Sequence, residues 1–333
     1  MIKKKILVAG AGGFIGGHLV GSLLKDGHEV IAVDNKPLEY WFQLFEINKN
    51  YSLDLKEYEN CLSVMDGIDY VYNMACNMGG MGFIENNKAE CMLSVLINTN
   101  LLRACLKKNV AKYFFSSSAC VYNSSKQEKA FVEGLKEEDA YPAQPEDGYG
   151  WEKLFSERMC RHFTEDYGLE TRVARYHNVY GPQGTYDGGR EKAPAALCRK
   201  IIQAKLNKDN IIDIWGDGEQ TRSFMYIDDC IKGTKKLFES NEHRVVNIGS
   251  EEQVSINQMV SIIEGFAEQK FKKNYQLDKP KGVRGRSSNN DLVREILKWD
   301  TEVSLKEGLK LTYNWIFKQI TSGANNNKFS RKY

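Results

Sequence analysis

The sequence predicts an α/β protein, a doubly wound parallel sheet followed by a smaller C-terminal α/β lobe. Three observations predict it. Short β-branched apolar runs alternate with amphipathic stretches through the first half, a glycine-rich turn joins the first run to the first helix, and beyond about residue 175 the alternation loosens into Gly- and Pro-containing loops.

Ile6-Leu7-Val8-Ala9 reads as a buried strand, and Gly10 to Gly13 as a turn. Phe14, Ile15, Leu19, Val20, Leu23 and Leu24 then recur at helical spacing up to Asp26-Gly27. Glu29 to Val33 is a second strand ending at Asp34, which closes one βαβ unit. Strands at Tyr70–Met74, Tyr113–Ser116 and Thr171–Ala174 alternate with helices around 89–108 and 149–167. Later come helices near 192–206, 227–239 and 255–269, with short strands at Ile211–Trp215 and Val245–Ile248. The expected division is a dinucleotide-binding domain over 1–175, with segments near 227–250 returning to it, and a substrate lobe over 176–323. A polar, flexible tail is expected over 324–333.

With 46 Lys and Arg against 44 Asp and Glu, the net charge of +2 recruits neither nucleic acid nor anionic lipid. Eight cysteines (61, 76, 91, 105, 120, 160, 198, 230) form no CxxC pair, so no metal site is expected and the thiols read as reduced, in a cytoplasmic protein. Lys3 to Lys5 followed by a charge-free run from Ile6 to Leu24 imitates a signal peptide, but six glycines and His18 interrupt it. Neither a targeting segment nor a membrane helix is expected.

Gly10-x-x-Gly13-x-x-Gly16, with Gly12 also available, lies between a strand and a helix. There, small residues permit a tight turn and let a pyrophosphate reach the helix N-terminus, where free N–H groups and the helix dipole favour negative charge. Asp34 at the end of the next strand can accept both ribose hydroxyls and would repel a 2′-phosphate. The motif therefore predicts a Rossmann-type site for NAD, lined also by Phe14 and Ile15, with Asp54 placed to bond the adenine amino group.

Tyr149 and Lys153 lie four residues apart, hence on one helix face. A phenol with a pKa near 10 takes no proton at neutral pH unless its phenolate is stabilised, and an adjacent ammonium and the nicotinamide charge are expected to do that. Ser118, after the strand at 113–116, is placed to bond the same substrate oxygen. Together these make a base for oxidising an alcohol to a ketone.

This set resembles the extended short-chain dehydrogenase/reductase family, and within it the branch of 3,5-epimerases acting on GDP-mannose. The segments that carry the resemblance are Asn77–Ile84, Ser117–Tyr122, Asp147–Gly150, Arg175–Pro182, Gly188–Ala195, Trp215–Phe224 and Gly282–Ser287. It implies transient oxidation at the sugar C4 by NAD, proton exchange at C3 and C5 through Cys120 and Lys192, and return of the hydrogen to C4. GDP-L-galactose and the C5-only product, GDP-L-gulose, would result. It also implies substrate contacts from Gly79, Gly80, Asn178 and Lys192, pyrophosphate donors in Arg222, Arg284 and Arg286, and a homodimer paired through helices 89–108 and 149–167. Similar 4,6-dehydratases carry Asp-Glu where this chain has Ala119-Cys120, which disfavours dehydration. Alternatives are a 4-epimerase, an epimerase of a related nucleotide sugar such as a GDP-heptose, and a non-enzymatic NAD-sensing scaffold.

Overall fold

Strand β1 (Lys5–Ala9) is apolar on both faces, and the fold buries both. Ile6 and Val8 enter one core with Leu19, Val20 and Leu23 of helix α1 (Phe14–Lys25), while Leu7 and Ala9 enter a second core on the opposite side. A strand buried twice must lie in the middle of a sheet covered by helices on each face. The computed structural model, which describes residues 2–46, 49–280, 282–322 and 327–330, shows this arrangement.

The remaining elements of the first half are β2 (Glu29–Asp34), β3 (Asn50–Ser52), α2 (Tyr58–Ser63), β4 (Tyr70–Asn73), α3 (Met81–Asn86), α4 (Lys88–Met92), α5 (Ser94–Lys107), β5 (Lys112–Ser118), α6 (Tyr149–Tyr167) and β6 (Glu170–Tyr176). After them come β7 (Val179–Tyr180), α7 (Ala193–Asn207), β8 (Ile211–Trp215), β9 (Thr221–Ser223), β10 (Met225–Tyr226), α8 (Ile227–Glu239) and β11 (Val246–Ile248). The chain continues through β12 (Gln253–Ser255), α9 (Ile256–Ala267), β13 (Lys272–Gln276), β14 (Gly285–Arg286), α10 (Asp291–Leu297) and α11 (Leu305–Thr321).

Seven strands pair in the order β11-β6-β5-β4-β1-β2-β3, all parallel, as the sequence pattern predicts for a doubly wound fold. The order in which the chain adds strands reverses between β1 and β4, so their C-terminal ends open the crevice in which such folds bind ligands. Strand β11 adds to the β6 edge, while β9, β12 and β14 make a separate small sheet and β8 pairs with β13.

The stretch Lys88–Lys107 is helical and apolar enough in composition to span a bilayer. Its hydropathy has another use, since Leu101, Leu102, Ala104 and Cys105 are buried against the sheet beside α2 and α6.

The flexible tail expected over 324–333 is corrected where the structure describes it. Residues 327–330 turn back on the fold, and the Phe329 ring is buried 4.9 Å from that of Trp315 and 5.3 Å from that of Phe42. One aromatic side chain within a polar run is enough to anchor it, because burying a ring that size offsets the ordering of a few residues. The rest of that tail lies outside the described residues.

Candidate active site

The glycine turn is shaped by close approach. Gly10 holds φ at +78°, and a Cβ at Gly16 would stand 2.1 Å from the Gly10 carbonyl oxygen, so α1 starts directly against the end of β1. Gly10, Gly13, Phe14, Ile15 and Gly16 line one side of a long cleft, and Asp34 and Asp54 line its far end. Asp34 is fixed by two backbone donors, Gly12 N–H at 3.1 Å and Lys36 N–H at 3.1 Å. Asp54 accepts from Lys56 N–H at 2.9 Å. Gly12 serves packing instead of lining the cleft, since a Cβ there would strike the Trp41 ring at 2.7 Å. Lys36, which the sequence reading missed, reaches the same corner and donates to the Gly12 carbonyl.

Opposite the turn, α6 begins at Tyr149. Gly148, with φ at +71°, makes the entry bend, and a Cβ on Gly150 would lie 2.3 Å from the Cys120 carbonyl oxygen. The first turn of α6 thus rests on the short turn at 119–121, and Glu146 N–H donates to that same carbonyl at 2.9 Å. A buried polar cluster locks the pair of elements from behind. Ser117 Oγ donates to Glu157 at 2.5 Å, and Arg175 grips Glu157 with two bonds of 2.9 and 2.8 Å.

Tyr149, Ser118 and Cys120 are therefore neighbours. The phenol is buried and its pKa is raised well above its ordinary value, by burial first and then by Cys76, Cys120 and Glu152, with the Ser118 hydroxyl pulling the other way. The Lys153 ammonium lies 5.6 Å from the Tyr149 ring centroid and 3.7 Å from Glu152, so the carboxylate neutralises much of its field. Lys153 Nζ is buried without a hydrogen-bond partner. Burying such a donor is costly unless a ligand acceptor meets it.

Cys120 is a buried thiol, its pKa pushed up to about 11 by burial and by Glu146, and pulled back by Arg286 and Ser118. Lys192 caps α7 and lines the cleft. Its pKa is lowered by burial and by Arg286, with Cys120, Cys76 and Glu146 opposing. Cys120 packs with Tyr149 in one buried cluster, and Lys192, on whose charge it acts, lines the cleft with the same tyrosine.

The predicted substrate residues divide. Gly79 and Asn178 line the cleft. Gly80 lies behind it, donating its N–H to the Arg190 carbonyl at 3.1 Å and leaving no room for a Cβ beside Glu191. The three arginines expected to hold a pyrophosphate all have partners within the protein. Arg284 is clamped on both oxygens of Asp217, and Arg286 is buried with its fork on Gln127 and Glu146 and with Nη1 3.6 Å from Cys120 Sγ. Arg222 donates to the carbonyls of Thr221 and Val283, and its pKa is pushed down to about 10 by burial and by Arg286.

The sequence reading passed over three further residues. Cys76 acts on Tyr149 and Lys192, Glu146 pairs with Arg286 at 2.5 Å, and Arg190 bonds Asn77 and Met78 across the cleft mouth and covers the Phe83 ring at 3.8 Å. Arg190 stands inside the Gly188–Ala195 segment and was legible there as a motif member; nothing local marks Cys76 or Glu146. Among the described residues no group of three or more His, Cys, Asp or Glu side chains is placed to hold a metal ion.

Such a fold, with a glycine turn at the sheet crevice and a Ser, Tyr and Lys set facing it, defines a nucleotide-dependent oxidoreductase scaffold. The chain belongs to the NAD dependent epimerase/dehydratase family, whose profile matches residues 6–249. It is 45% identical over 317 residues to GDP-mannose 3,5-epimerase of Arabidopsis thaliana, covering 95% of this chain and 83% of the relative. GDP-mannose 3,5-epimerase 1 of Oryza sativa subsp. japonica is 46% identical over 319 residues, covering 96% and 83%. Among solved structures, UDP-glucose 4-epimerase of Thermotoga maritima with UDP-glucose superposes with a TM-score of 0.85 at 27% identity, covering 95% and 99%. UDP-glucuronic acid 4-epimerase of Bacillus cereus, in complex with UDP-glucuronic acid and NAD, does so with 0.80 at 29%, covering 95% and 99%.

The residues present fit NAD. The Gly10–Gly16 cradle has no space for side chains, Asp34 is held at the ribose end, and Lys153 Nζ is an unmet buried donor. Gly16→Ala should weaken NAD+ binding by about 1–3 kcal/mol, the range for forcing a methyl group into a packed contact. Calorimetric titration checks this, and an unchanged dissociation constant would contradict the cradle.

Proposed function

We infer that this chain is a GDP-mannose 3,5-epimerase, converting GDP-mannose to GDP-L-galactose, with GDP-L-gulose as the product inverted at C5 alone. One arrangement carries the reading: the Cys120 thiol packs with Tyr149 in one buried cluster, and the Lys192 amine lines the cleft beside the same tyrosine. A 4-epimerase needs only the tyrosine and a cofactor, whereas inverting a carbon next to a ketone needs a proton acceptor on one face and a proton donor on the other. Two relatives of that name at 45% and 46% identity support the substrate.

Bound in the glycine cradle, NAD+ supplies a reversible acceptor for the hydrogen of C4. Tyr149, with Ser118 on the same oxygen, takes the proton of the 4-hydroxyl. Its phenol has a raised pKa in the protein alone, so the positive nicotinamide is the charge that makes the phenolate accessible. Lys153, whose Nζ has an ion pair with Glu152 but no hydrogen-bond partner, would hold the ribose of the cofactor. While C4 is a carbonyl, the hydrogens on C3 and C5 are acidic, and Cys120 and Lys192 exchange them. Arg222 and Arg286 lie opposite one another on β9 and β14, and their like charges favour a pyrophosphate bound at that end. Asn178 and Gly79 border the sugar.

We also propose a homodimer. Leu93, Leu96, Trp151 and Phe155 are exposed on adjoining helices α5 and α6 and at the turn before α5, at 42%, 41%, 44% and 57%. Such a row on two packed helices is an interface in search of its copy. Sedimentation should give twice the monomer mass, and Phe155→Glu should return it to one; a parent protein that sediments as a monomer would refute the pairing.

Incubation with GDP-mannose in deuterated water should place deuterium on C3 and C5 of recovered material. Cys120→Ser and Lys192→Ala should each reduce that labelling about 10²–10⁴-fold, the usual contribution of a positioned acid or base. A folded, NAD-loaded protein that leaves both carbons unlabelled would defeat the reading.

A further inference from the structure

The reading just given creates a proton-accounting problem, and the inference here rests on that reading. In the mannopyranosyl chair the hydrogens on C3 and C5 lie on the same ring face. Both inversions therefore remove a proton from one face and add one to the other. Each inversion leaves one member of the Cys120 and Lys192 pair with a proton too many and the other with one too few. The pair must be reset before the second carbon can be inverted in the same sense. Lys192 borders the open cleft, but Cys120 is buried.

Glu146 is placed for the task. Its Oε1 is held 2.5 Å from Arg286 Nη2, and the other fork nitrogen of that arginine, Nη1, lies 3.6 Å from Cys120 Sγ. Its Oε2 is buried and receives no N–H or O–H bond. The side chain is only 12% exposed, yet it helps to line a second cleft with Glu85, Lys88, Gln127, Asp147 and Arg284. Lys88 and Asp147 there are exposed to solvent. The charged and titratable groups around Glu146 are Arg286, Arg222, Cys120, Lys192 and, from α3, Glu85.

We propose that Glu146 is a positioning and proton-relay residue that recharges Cys120 between the two inversions, drawing the proton from water in the second cleft. Cys120 rests as a thiol, because burial and the Glu146 charge hold its pKa near 11, whereas burial lowers that of Lys192. In each inversion Lys192 takes a proton from carbon and becomes an ammonium, while the thiol gives a proton to the opposite face and becomes a thiolate. The Glu146 carboxylate, ionised at rest beside Arg286, accepts a proton delivered through the water of the second cleft and hands it to the thiolate, so an S–H bond forms as the transient O–H bond breaks. The carboxylate is then ionised again, as it began, and Lys192 returns its extra proton to solvent in the cofactor cleft, so the proton drawn at one cleft is released at the other. No net proton is gained or lost. Transfer from a carboxyl, whose pKa is held low by Arg286, to a thiolate with a far higher one runs downhill.

Glu146→Gln keeps an oxygen for Arg286 but cannot carry the proton. With enzyme in excess over GDP-mannose in deuterated water, the resting thiol serves one inversion, so this variant should label its first carbon and stall before the second. Its ratio of doubly to singly inverted product should fall about 10²-fold, the scale of losing one positioned proton carrier. Glu146→Asp, and formate added to the Gln variant, should restore much of the second inversion, which a purely structural loss would not allow. A parent-like product ratio in the Gln variant overturns the proposal. So does an equal loss of both inversions in the Gln and Asp variants, because Glu146 would then only be holding Arg286. A parent protein that inverts neither carbon instead defeats the epimerase reading itself.

Discussion

The contact on which the site depends is the seating of the first turn of α6 against the turn that follows β5. Gly150 has no side chain to spare there, because the Cys120 carbonyl oxygen occupies the space. With Glu146 N–H bonded to that carbonyl and Glu157 gripped by Arg175 and Ser117, helix and sheet cannot slide past one another. A buried ion pair contributes little net stability, but leaving either partner alone inside would cost several kcal/mol, so it fixes one register. Tyr149, Ser118 and Cys120 inherit that register. Their proximity is a property of the backbone before it is a property of the side chains.

The electrostatics of the chamber follow from its dryness. Burial raises the pKa values of Tyr149 and Cys120 and lowers that of Lys192, so the protein alone holds all three nearer their neutral forms. Neutral groups can accept or donate a proton without first shedding a tightly held hydration shell. The arginines at the far end are pressed together instead of relaxed apart, and a ligand that brings negative charge relieves that repulsion. Cofactor charge and substrate charge thus each complete an arrangement that the folded chain leaves electrostatically unfinished.

Much of this was legible in the residues. The doubly wound sheet followed from period and punctuation: Ile6 to Ala9, the glycine turn, and Asp34 each have one structural use, and each is found in it. Within the site, the four-residue spacing of Tyr149 and Lys153 survives folding because both belong to one helix. Long-range pairing was not legible. Arg284 and Arg286 differ by two positions in a loop-like sequence, yet one is clamped on Asp217 near the surface and the other is buried on Glu146. Arg284 stands just before β14 and Arg286 within it, so strand alternation does not separate them; their partners do, and a loop reading has no means of deriving those. Cys76 and Glu146 were missed for the same reason, since their importance lies in partners distant in sequence. Phe329 shows the converse error, where composition alone reads as a loose tail a segment that one ring ties down.

The central claim is that a transient carbonyl at C4, made by Tyr149, is what loosens the hydrogens on C3 and C5. The most direct measurement is deuterium uptake at those two carbons by a Tyr149→Phe variant, which keeps Cys120, Lys192 and the NAD cradle. The account predicts that uptake at both carbons falls together, by about 10²–10⁴-fold, with GDP-mannose still bound. Exchange at the parent rate in that variant would contradict it.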